Sequence, residues 1–591
     1  MNPATPAPAS AAPSGSARPW PSSQWTDAAV DEAAAAALGS ALRLSPAAAR
    51  ILVARGHADP EDAASFLRPL LKNCMLPDRL PGIAEAADIV ARHVGLGEPI
   101  VVFGDFDADG MTAATILHKA ILGVGGHASI FIPDRIHEGY GFTEAALDRC
   151  LAEHPGAKLI VTVDCGISHA PACDKAVAQG VEVVVTDHHE VGLDVPRSAS
   201  ALVNPCLPGT PEPLRHLCGA GVAFKLAHEL VRRLLPAEEG PRFMHPLVAI
   251  AAVGTIGDLV PLVGENRIIA SRGLDIANRA PPDQLVGLRA LASSARLSGD
   301  VDSGAMAFVL VPRINAAGRV GNPRVALDLL AARDMASALP LAHRLGEFNA
   351  LRREEEAAAL RSAEEEVRAA PREGRSCTIL HNRDWHPGVI GLVASRLSNR
   401  HHLPSIVFTA DDEPGFARGS ARCPEIPGLD LMQLLERCRD LLATFGGHRA
   451  AAGLTLPEER LDEFRARFAA VCAEAERGLD MRPESRVEAW IRPDEADAAL
   501  ESDLARIGPF GTLNPQPLLG MRGLTLARDP SRFGRTTVNW RLEFAETPVP
   551  GVVFGRPEMP FRGGDRLDAV FHFARDNFGA PQFFLRDLRR A

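Results

Sequence analysis

Residues 99–110 read Pro-Ile-Val-Val-Phe-Gly-Asp-Phe-Asp-Ala-Asp-Gly, and the two halves of this stretch make opposite demands on a fold. Ile100 to Phe103 is apolar with no polar alternation, as expected of a strand buried on both faces of a parallel sheet. Asp105, Asp107 and Asp109 follow at spacing two, so an extended chain would point all three carboxylates the same way. Gly110 lets the backbone turn, and the apolar spacing from Met111 to Leu122 predicts a helix. Three carboxylates crowded at the carboxyl end of a buried strand repel one another, and a divalent cation among them is the simplest remedy. A solvated Asp-rich turn and a calcium loop are the other readings of this stretch alone. A loop of the EF-hand kind needs a Glu at its twelfth position, where this chain has Ile116.

With 591 residues the chain exceeds what one hydrophobic core supports, and roughly three to four domains are expected. Hydrophobic content of 46% and charged content of 23% are those of an ordinary soluble protein. No apolar run reaches membrane-spanning length, so no membrane partner is expected. Met1 to Arg18 is rich in Pro, Ala and Ser and lacks the charged-then-apolar layout of a secretory signal. It reads as disordered, in a tail assigned to 1–40. The ten cysteines include no Cys-x-x-Cys pair and suit the core of a cytoplasmic protein better than a disulfide frame or zinc site. A net charge of −11 argues against a general nucleic-acid coat but leaves room for a local basic groove.

Residues 41–95 carry helical spacing and no recognisable chemistry. From 96 onward strands and helices alternate: Ile100–Phe103, helix 111–122, Ser129–Ile132, helix 143–152, Leu159–Val163, helix 170–179, Val181–Val185. That rhythm predicts an α/β domain with a mostly parallel sheet. Helical patterns follow at 220–235, 246–257, 266–278 and 323–332, then a long helix over about 336–369. The charged half of that helix, Arg352 to Arg368, reads as a solvated connector. A second α/β unit is expected over 375–480, with strands near 376–380, 405–409 and 416–421. Short β-type runs at Thr537–Phe544, Leu567–Phe573 and Gln582–Leu585 predict a small C-terminal barrel. Residues 522–591 hold twelve Arg against eight Asp and Glu, a net +4 that fits a nucleic-acid surface.

The first pattern recurs. Leu159 to Val163 is a buried-type strand ending in Asp164-Cys165-Gly166, and Val181 to Thr186 ends in Asp187-His188-His189. Open α/β sheets bind ligands at the carboxyl ends of their strands, so these groups should converge. A fourth acid, Asp258, interrupts the apolar segment Val253 to Pro261 and needs a partner there. Such a site can hold two ions about 3.5–4 Å apart. Oxygen with some nitrogen, and no thiolate pair, points to Mn²⁺ or Mg²⁺ ahead of Zn²⁺.

Asp-Phe-Asp-Ala-Asp-Gly over 105–110, Val-Asp-Cys-Gly over 163–166, Asp-His-His over 187–189 and Gly-Asp at 257–258 resemble the four motifs of the DHH phosphoesterase family, in order and spacing. Within it the chain is most similar to the single-strand-specific DNA exonucleases. Supporting segments are Pro133–Gly141, Pro312–Arg319, Trp385–Arg396, Gly419–Arg422 and Gly446–Gly453. The resemblance covers roughly 41–591 and is strongest over 99–455. It implies a helical lead-in over 41–95, a DHH catalytic domain with a mostly parallel sheet over 96–335, and a connecting helix over 336–370. A second α/β, DHH-associated substrate-binding domain over 371–480 and an OB-like nucleic-acid-binding barrel over 481–591 complete it.

By the same resemblance Asp107, Asp109, Asp164, His188 and Asp258 match metal ligands. Asp105 and His189 match adjacent catalytic positions that support the ligands or polarise the phosphate. Gly447 and His448 lie in the Gly-rich substrate motif, and Arg135, Arg319, Ser420 and Arg422 lie in segments that hold the terminal phosphate and backbone of DNA. The implied function is two-metal, 5′-to-3′ hydrolysis of single-stranded DNA in recombination and repair, releasing 5′-mononucleotides. The enzyme would be monomeric, with a helicase or a single-strand-binding protein as a partner. The barrel departs from the family pattern at Gly534–Arg541 and over the last 25 residues. An oligoribonucleotide or cyclic-dinucleotide phosphodiesterase, or a pyrophosphatase, is the rival within the family, and a non-catalytic replication scaffold is the rival outside enzymes. The roughly 110 residues after 480 favour a polymer substrate over the first, and the full ligand set disfavours the second.

Overall fold

The computed structural model describes residue 20 and residues 23–134, 138–192, 194–369, 375–534, 538–576 and 579–591. Two compact units emerge: residues 25–346 together with 485–591, and residues 347–484.

The first unit is built on five parallel strands, β1 (Pro99–Phe103), β2 (His127–Phe131), β3 (Leu159–Val163), β4 (Glu182–Thr186) and β5 (Ala201–Val203), in the order β2-β1-β3-β4-β5. Ile100 to Phe103 and Leu159 to Val163 are buried throughout, as continuous apolar runs in a doubly covered sheet must be. Helix α1 (Ala108–Gly123) leaves the end of β1 and packs against α2 (Gly219–Leu234) and α3 (Gly240–Gly257). Ile116, Leu117, Leu226 and Ala249 meet there in one core with Val102 and Val161. Because β1 lies between β2 and β3, the chain runs to opposite sides after consecutive strands, which opens a crevice at the strands' carboxyl ends.

Part of the expected tail over 1–40 is regular structure. Gln24–Asp27 is a strand beside Glu484–Val487, and Glu32–Leu42 is a helix capped by the Asp31 carboxylate. Helix α3 also begins before its expected start at 246. Pro246 lies inside it, so proline did not end the helix there. The run 303–320, whose helical signal went unread, is a helix interrupted by a π-turn at Met306–Leu310 that continues into α4 (Val311–Val320).

Helix α5 (Met335–Ala369) carries the chain from the first unit into the second. Its charged half is not simply solvated. Glu356 accepts from Arg352 and Arg396, and Glu364 pairs with Arg400, so these two acids are buried against α6 (Pro387–His401). Paired charges can be buried where lone ones cannot. The second unit's sheet has the order β9-β10-β8-β7-β6, from β6 (Thr378–His381), β7 (Ser405–Ala410), β8 (Phe416–Arg422), β9 (Thr444–His448) and β10 (Ala451–Pro457).

The C-terminal strands form a seven-stranded sheet that includes Trp540–Phe544, Arg566–Arg575 and Pro581–Arg590. It belongs to the first unit. Arg55 forks onto Glu488 at 2.7 and 2.8 Å, and Arg267 donates to the carbonyl of Gly508 at 2.8 Å. Among the described residues, no helix is long and apolar enough to cross a membrane.

Candidate metal centre

Asp107 is the N-cap of α1, and its Oδ1 accepts from the amides of Asp109 and Gly110 at 2.9 and 3.1 Å. Capping satisfies amides that a helix start leaves orphaned. The helix therefore begins at Ala108, and the expected extended alternation of three aspartates does not occur. The turn brings the carboxylates together instead: Asp105, Asp107 and Asp164 each place an oxygen within 4.8 Å of the others.

Asp164 follows β3 in a left-handed conformation, φ 62°. His188 follows β4, with Nε2 at 3.0 Å from Asp164 Oδ1, 3.7 Å from Asp109 Oδ2 and 3.6 Å from Asp258 Oδ2. Asp258 sits at the carboxyl end of α3. Asp109, His188 and Asp258 thus form a second set beside the first.

Two structural devices hold this cluster, neither of which the sequence reading assigned to the aspartates. The first amides of α2, Gly219 and Ala220, donate to Asp109 Oδ2 and Oδ1 at 2.6 and 2.8 Å. A helix N-terminus is a natural seat for an anion. The approach needs glycine, since a Cβ on Gly219 would lie 2.5 Å from Asp164 Cβ, and one on Gly254 would lie 2.5 Å from Asp109 Oδ1. From the other side, Asn315 of α4 accepts from the amide of Ala108 at 2.7 Å. Part of Pro312–Arg319 therefore supports the aspartate turn. Asn315 could have been suspected as a side-chain amide inside a helix, where it needs a partner.

Burial and mutual repulsion dominate the electrostatics. Burial and the Asp107 charge push the Asp109 carboxyl up to about 6, against the pull of the α2 amides. Burial and the Asp109 charge push Asp258 up to about 9 and Asp164 well above the usual range. Asp164 Oδ1 is buried and accepts no hydrogen bond among the described residues. A dication among these oxygens and the His188 nitrogen would supply the missing partner and cancel the repulsion, so the residues fit a hard divalent metal.

Asp187 points elsewhere. It accepts from the Ile167 amide at 3.0 Å and from His189 Nδ1 at 2.7 Å. Burial would raise its carboxyl, but the His189 bond and charge outweigh it and leave Asp187 at about 2. Burial likewise lowers His189, and the Asp187 partner overrides it, holding the imidazole at about 9. His189 Nε2 meets the hydroxyl of Tyr140 at 2.9 Å.

The substrate positions are distributed differently. Arg135 lies outside the described residues. Arg319 is half-buried in the last turn of α4. Ser420 and Arg422 alternate along β8 on one face, joined by a bond of 3.0 Å from Arg422 Nη1 to Ser420 Oγ. Gly391 of α6 leaves room there, since a Cβ on it would lie 3.0 Å from Ser420 Oγ. Gly447 and His448 are exposed on β9, the edge strand of the second unit's sheet.

Residues 99–255 match the DHH family N-terminal domain, 375–474 the DHHA1 domain and 487–584 the RecJ OB domain. The single-stranded-DNA-specific exonuclease RecJ of Bacillus subtilis is 33% identical over 95% of this chain and 70% of its own length. That of Dickeya dadantii is 36% identical over 79% of this chain and 82% of its own. Among solved structures, RecJ of Thermus thermophilus in complex with Mn²⁺ superposes with a TM-score of 0.80 at 30% identity, covering 96% of this chain and 80% of that one. The same protein with Mg²⁺ gives a TM-score of 0.75 at 29% identity, over 96% of this chain and 78% of that one.

Proposed function

Because the chain belongs to the RecJ family of DHH phosphoesterases, we propose that it is a single-stranded-DNA-specific exonuclease that removes 5′-mononucleotides from the 5′ end. The observation that carries this reading is the convergence of two carboxylate sets on His188 at the ends of β1, β3 and β4. In this reading Asp107, Asp109, Asp164, His188 and Asp258 hold two ions, with Asp105 close enough to contribute. The ions are Mn²⁺ or Mg²⁺, which when bound acidify water and neutralise charge on the scissile phosphate. His189, kept protonated by Asp187, would donate through Nε2 to a non-bridging phosphate oxygen in exchange for its contact with the Tyr140 hydroxyl. The α2 amides fix Asp109, so the carboxylates need little rearrangement when substrate arrives. We divide the chain into a lead-in at 41–95, a catalytic domain at 96–335, a connector at 336–370, a substrate domain at 371–480 and a barrel at 481–591. On the barrel, Arg522 stacks on Trp490 and Arg532 on Trp540, each at 4.5 Å, a surface suited to unpaired bases. A cytoplasmic monomer acting in repair and recombination, fed by a helicase or a single-strand-binding protein, is the setting we infer.

The direct test is Mn²⁺-dependent digestion of one labelled oligonucleotide as single strand, blunt duplex and RNA. Nucleotides should leave the single strand from its 5′ end. Loss first from the 3′ end, or equal rates on duplex, would return the reading to a general DHH phosphodiesterase.

Metal binding should also be visible without turnover. At a Mn²⁺ concentration about a hundred times its dissociation constant, binding adds about 2.7 kcal/mol, which should raise the melting temperature of a unit this size by roughly 2–4 °C over protein in EDTA. An unchanged midpoint would remove the metal assignment.

Ser420 and Arg422 are assigned to the terminal phosphate, where a forked guanidinium and a hydroxyl suit a dianion. Arg422→Ala should raise KM for a 5′-phosphorylated strand by about ten-fold, as expected for losing a charge-assisted bond, and leave the 5′-hydroxyl substrate nearly unaffected. Lys at the same position should restore only part of the preference. Equal rates of the wild-type protein on 5′-phosphate, 5′-hydroxyl and blocked ends would end this assignment.

A further inference from the structure

Two leucines, one of them directly after the metal-binding Asp258, hold a backbone conformation that leucine avoids. Leu259 directly follows Asp258 and has φ 59°, and Leu513 has φ 56°. In both, Cβ crowds the following carbonyl, a strain that persists only where surrounding structure enforces it. The enforcing bonds run between the two turns. Thr512 Oγ1 donates to the carbonyl of Leu259 at 2.6 Å, and the Leu262 amide donates to the carbonyl of Thr512 at 2.8 Å. The second turn is braced in its own right. Asn514 Nδ2 donates to the carbonyls of Ile507 and Pro509 at 3.0 and 2.9 Å, and Ser303 Oγ to that of Phe510 at 3.2 Å. Leu262 packs so close that a Cβ on Gly511 would lie 2.7 Å from its Cδ1.

The outcome of this bracing is that both leucine side chains face solvent, at 60% and 65% exposure. Glycine or asparagine would adopt the same turns without strain and without presenting apolar surface to water. Leucine is costlier on both counts, and the strain sets these two apart from the exposed Leu76 and Leu96, which are not left-handed. Leu259 is the immediate neighbour of Asp258, where the reading above places the scissile phosphate. A strand whose phosphate reaches those carboxylates carries its base within the length of one nucleotide.

We propose that Leu259 and Leu513 form an apolar shelf for the unpaired nucleobases of the strand being cut. The proposal rests on the exonuclease reading and adds to it a contact that senses bases. Every nucleobase has an apolar face, so an aliphatic shelf accepts any sequence, as a sequence-independent nuclease needs. In a duplex those faces are already stacked on one another, so the shelf contributes to discrimination against paired ends.

The test is a comparison of two ligands of equal phosphate count: a short oligothymidylate and an abasic oligomer of the same length. Binding is followed by fluorescence anisotropy in EDTA, where hydrolysis is halted, on the full chain and on the double variant Leu259→Asn with Leu513→Asn. Asparagine tolerates the left-handed turn, and an unchanged Mn²⁺-dependent rise in melting temperature verifies that the variant is folded with its metal residues in place. The double variant should bind oligothymidylate about ten-fold more weakly, the size of a lost base contact, and the abasic oligomer within about two-fold of wild type. If wild-type protein releases no nucleotides from oligothymidylate with Mn²⁺, the exonuclease reading fails and the shelf with it. If wild type is active but the double variant loses equally on both oligomers, or on neither, the shelf alone is refuted.

Discussion

Asp164→Asn should lower nucleotide release by at least about a thousand-fold, equivalent to about 4 kcal/mol of lost transition-state stabilisation. Asp164 shares one ligand set with Asp105 and Asp107 and lies 3.0 Å from His188 of the other. Removing its charge weakens the hold on cations from both sides. Asparagine is the informative replacement because it keeps the shape and accepts the φ of 62° found there. The same variant should melt no lower than wild type in EDTA, since it removes one of several mutually repelling buried carboxylates. Single-strand binding in EDTA should change by less than about three-fold, because phosphate contacts elsewhere persist. A variant that retains more than about a tenth of wild-type turnover, only ~1.4 kcal/mol of barrier, would show that Asp164 is no ligand.

Gly219→Ala should be nearly as damaging, though it replaces no ionisable group. Its added carbon would meet Asp164 Cβ, Oδ1 and Cγ at 2.5, 2.6 and 2.7 Å, closer than real side chains approach. Either Asp164 moves or the start of α2 moves, and the latter loosens the two amides on Asp109. A loss of about a hundred-fold in rate is expected, since displacing reacting groups by about 1 Å costs that much. Gly221→Ala, two residues on, is the control. There the nearest atom is Leu217 Cδ2 at 3.0 Å, the end of a flexible side chain, and activity should fall by less than about three-fold. Equal effects at 219 and 221 would mean that helix disturbance, and not the carboxylate contact, is responsible.

What could be read from sequence was the chemistry that needs particular residue types. Buried strands ending in Asp107, Asp164 and His188 stand out because carboxylates and imidazoles at such places have no apolar explanation. The parallel sheet was legible for the same reason, since Leu159 to Val163 has no polar face. The supports were not. Gly219, Gly254 and Asn315 are ordinary residues whose importance lies in what comes within 3 Å of them, and that depends on helices far along the chain. The alternation argument for the three aspartates failed because Asp107 caps a helix, a local bond that overrides strand geometry. Glu356 and Glu364 look like surface charges until Arg396 and Arg400 arrive from α6 to cover them.

The first unit is discontinuous in the chain: 347–484 fold separately, between its two pieces. On a ribosome this imposes a wait. Arg267, whose guanidinium lies over the Phe66 ring at 3.7 Å, finds its remaining carbonyl acceptors at Arg506 and Gly508. Those carbonyls are 241 residues later for Gly508 (508 − 267), or roughly 12–48 s of synthesis at about 5–20 residues per second. Through that interval a buried cation has half its partners, and the turn that clamps Leu259 has not been made. The nascent chain thus carries its carboxylate cluster before the Thr512 turn is there to hold the neighbouring Leu259, while the inserted unit is contiguous in sequence and needs no such wait. Synthesis order alone would then leave the segment after Asp258 unclamped until the Thr512 turn has emerged.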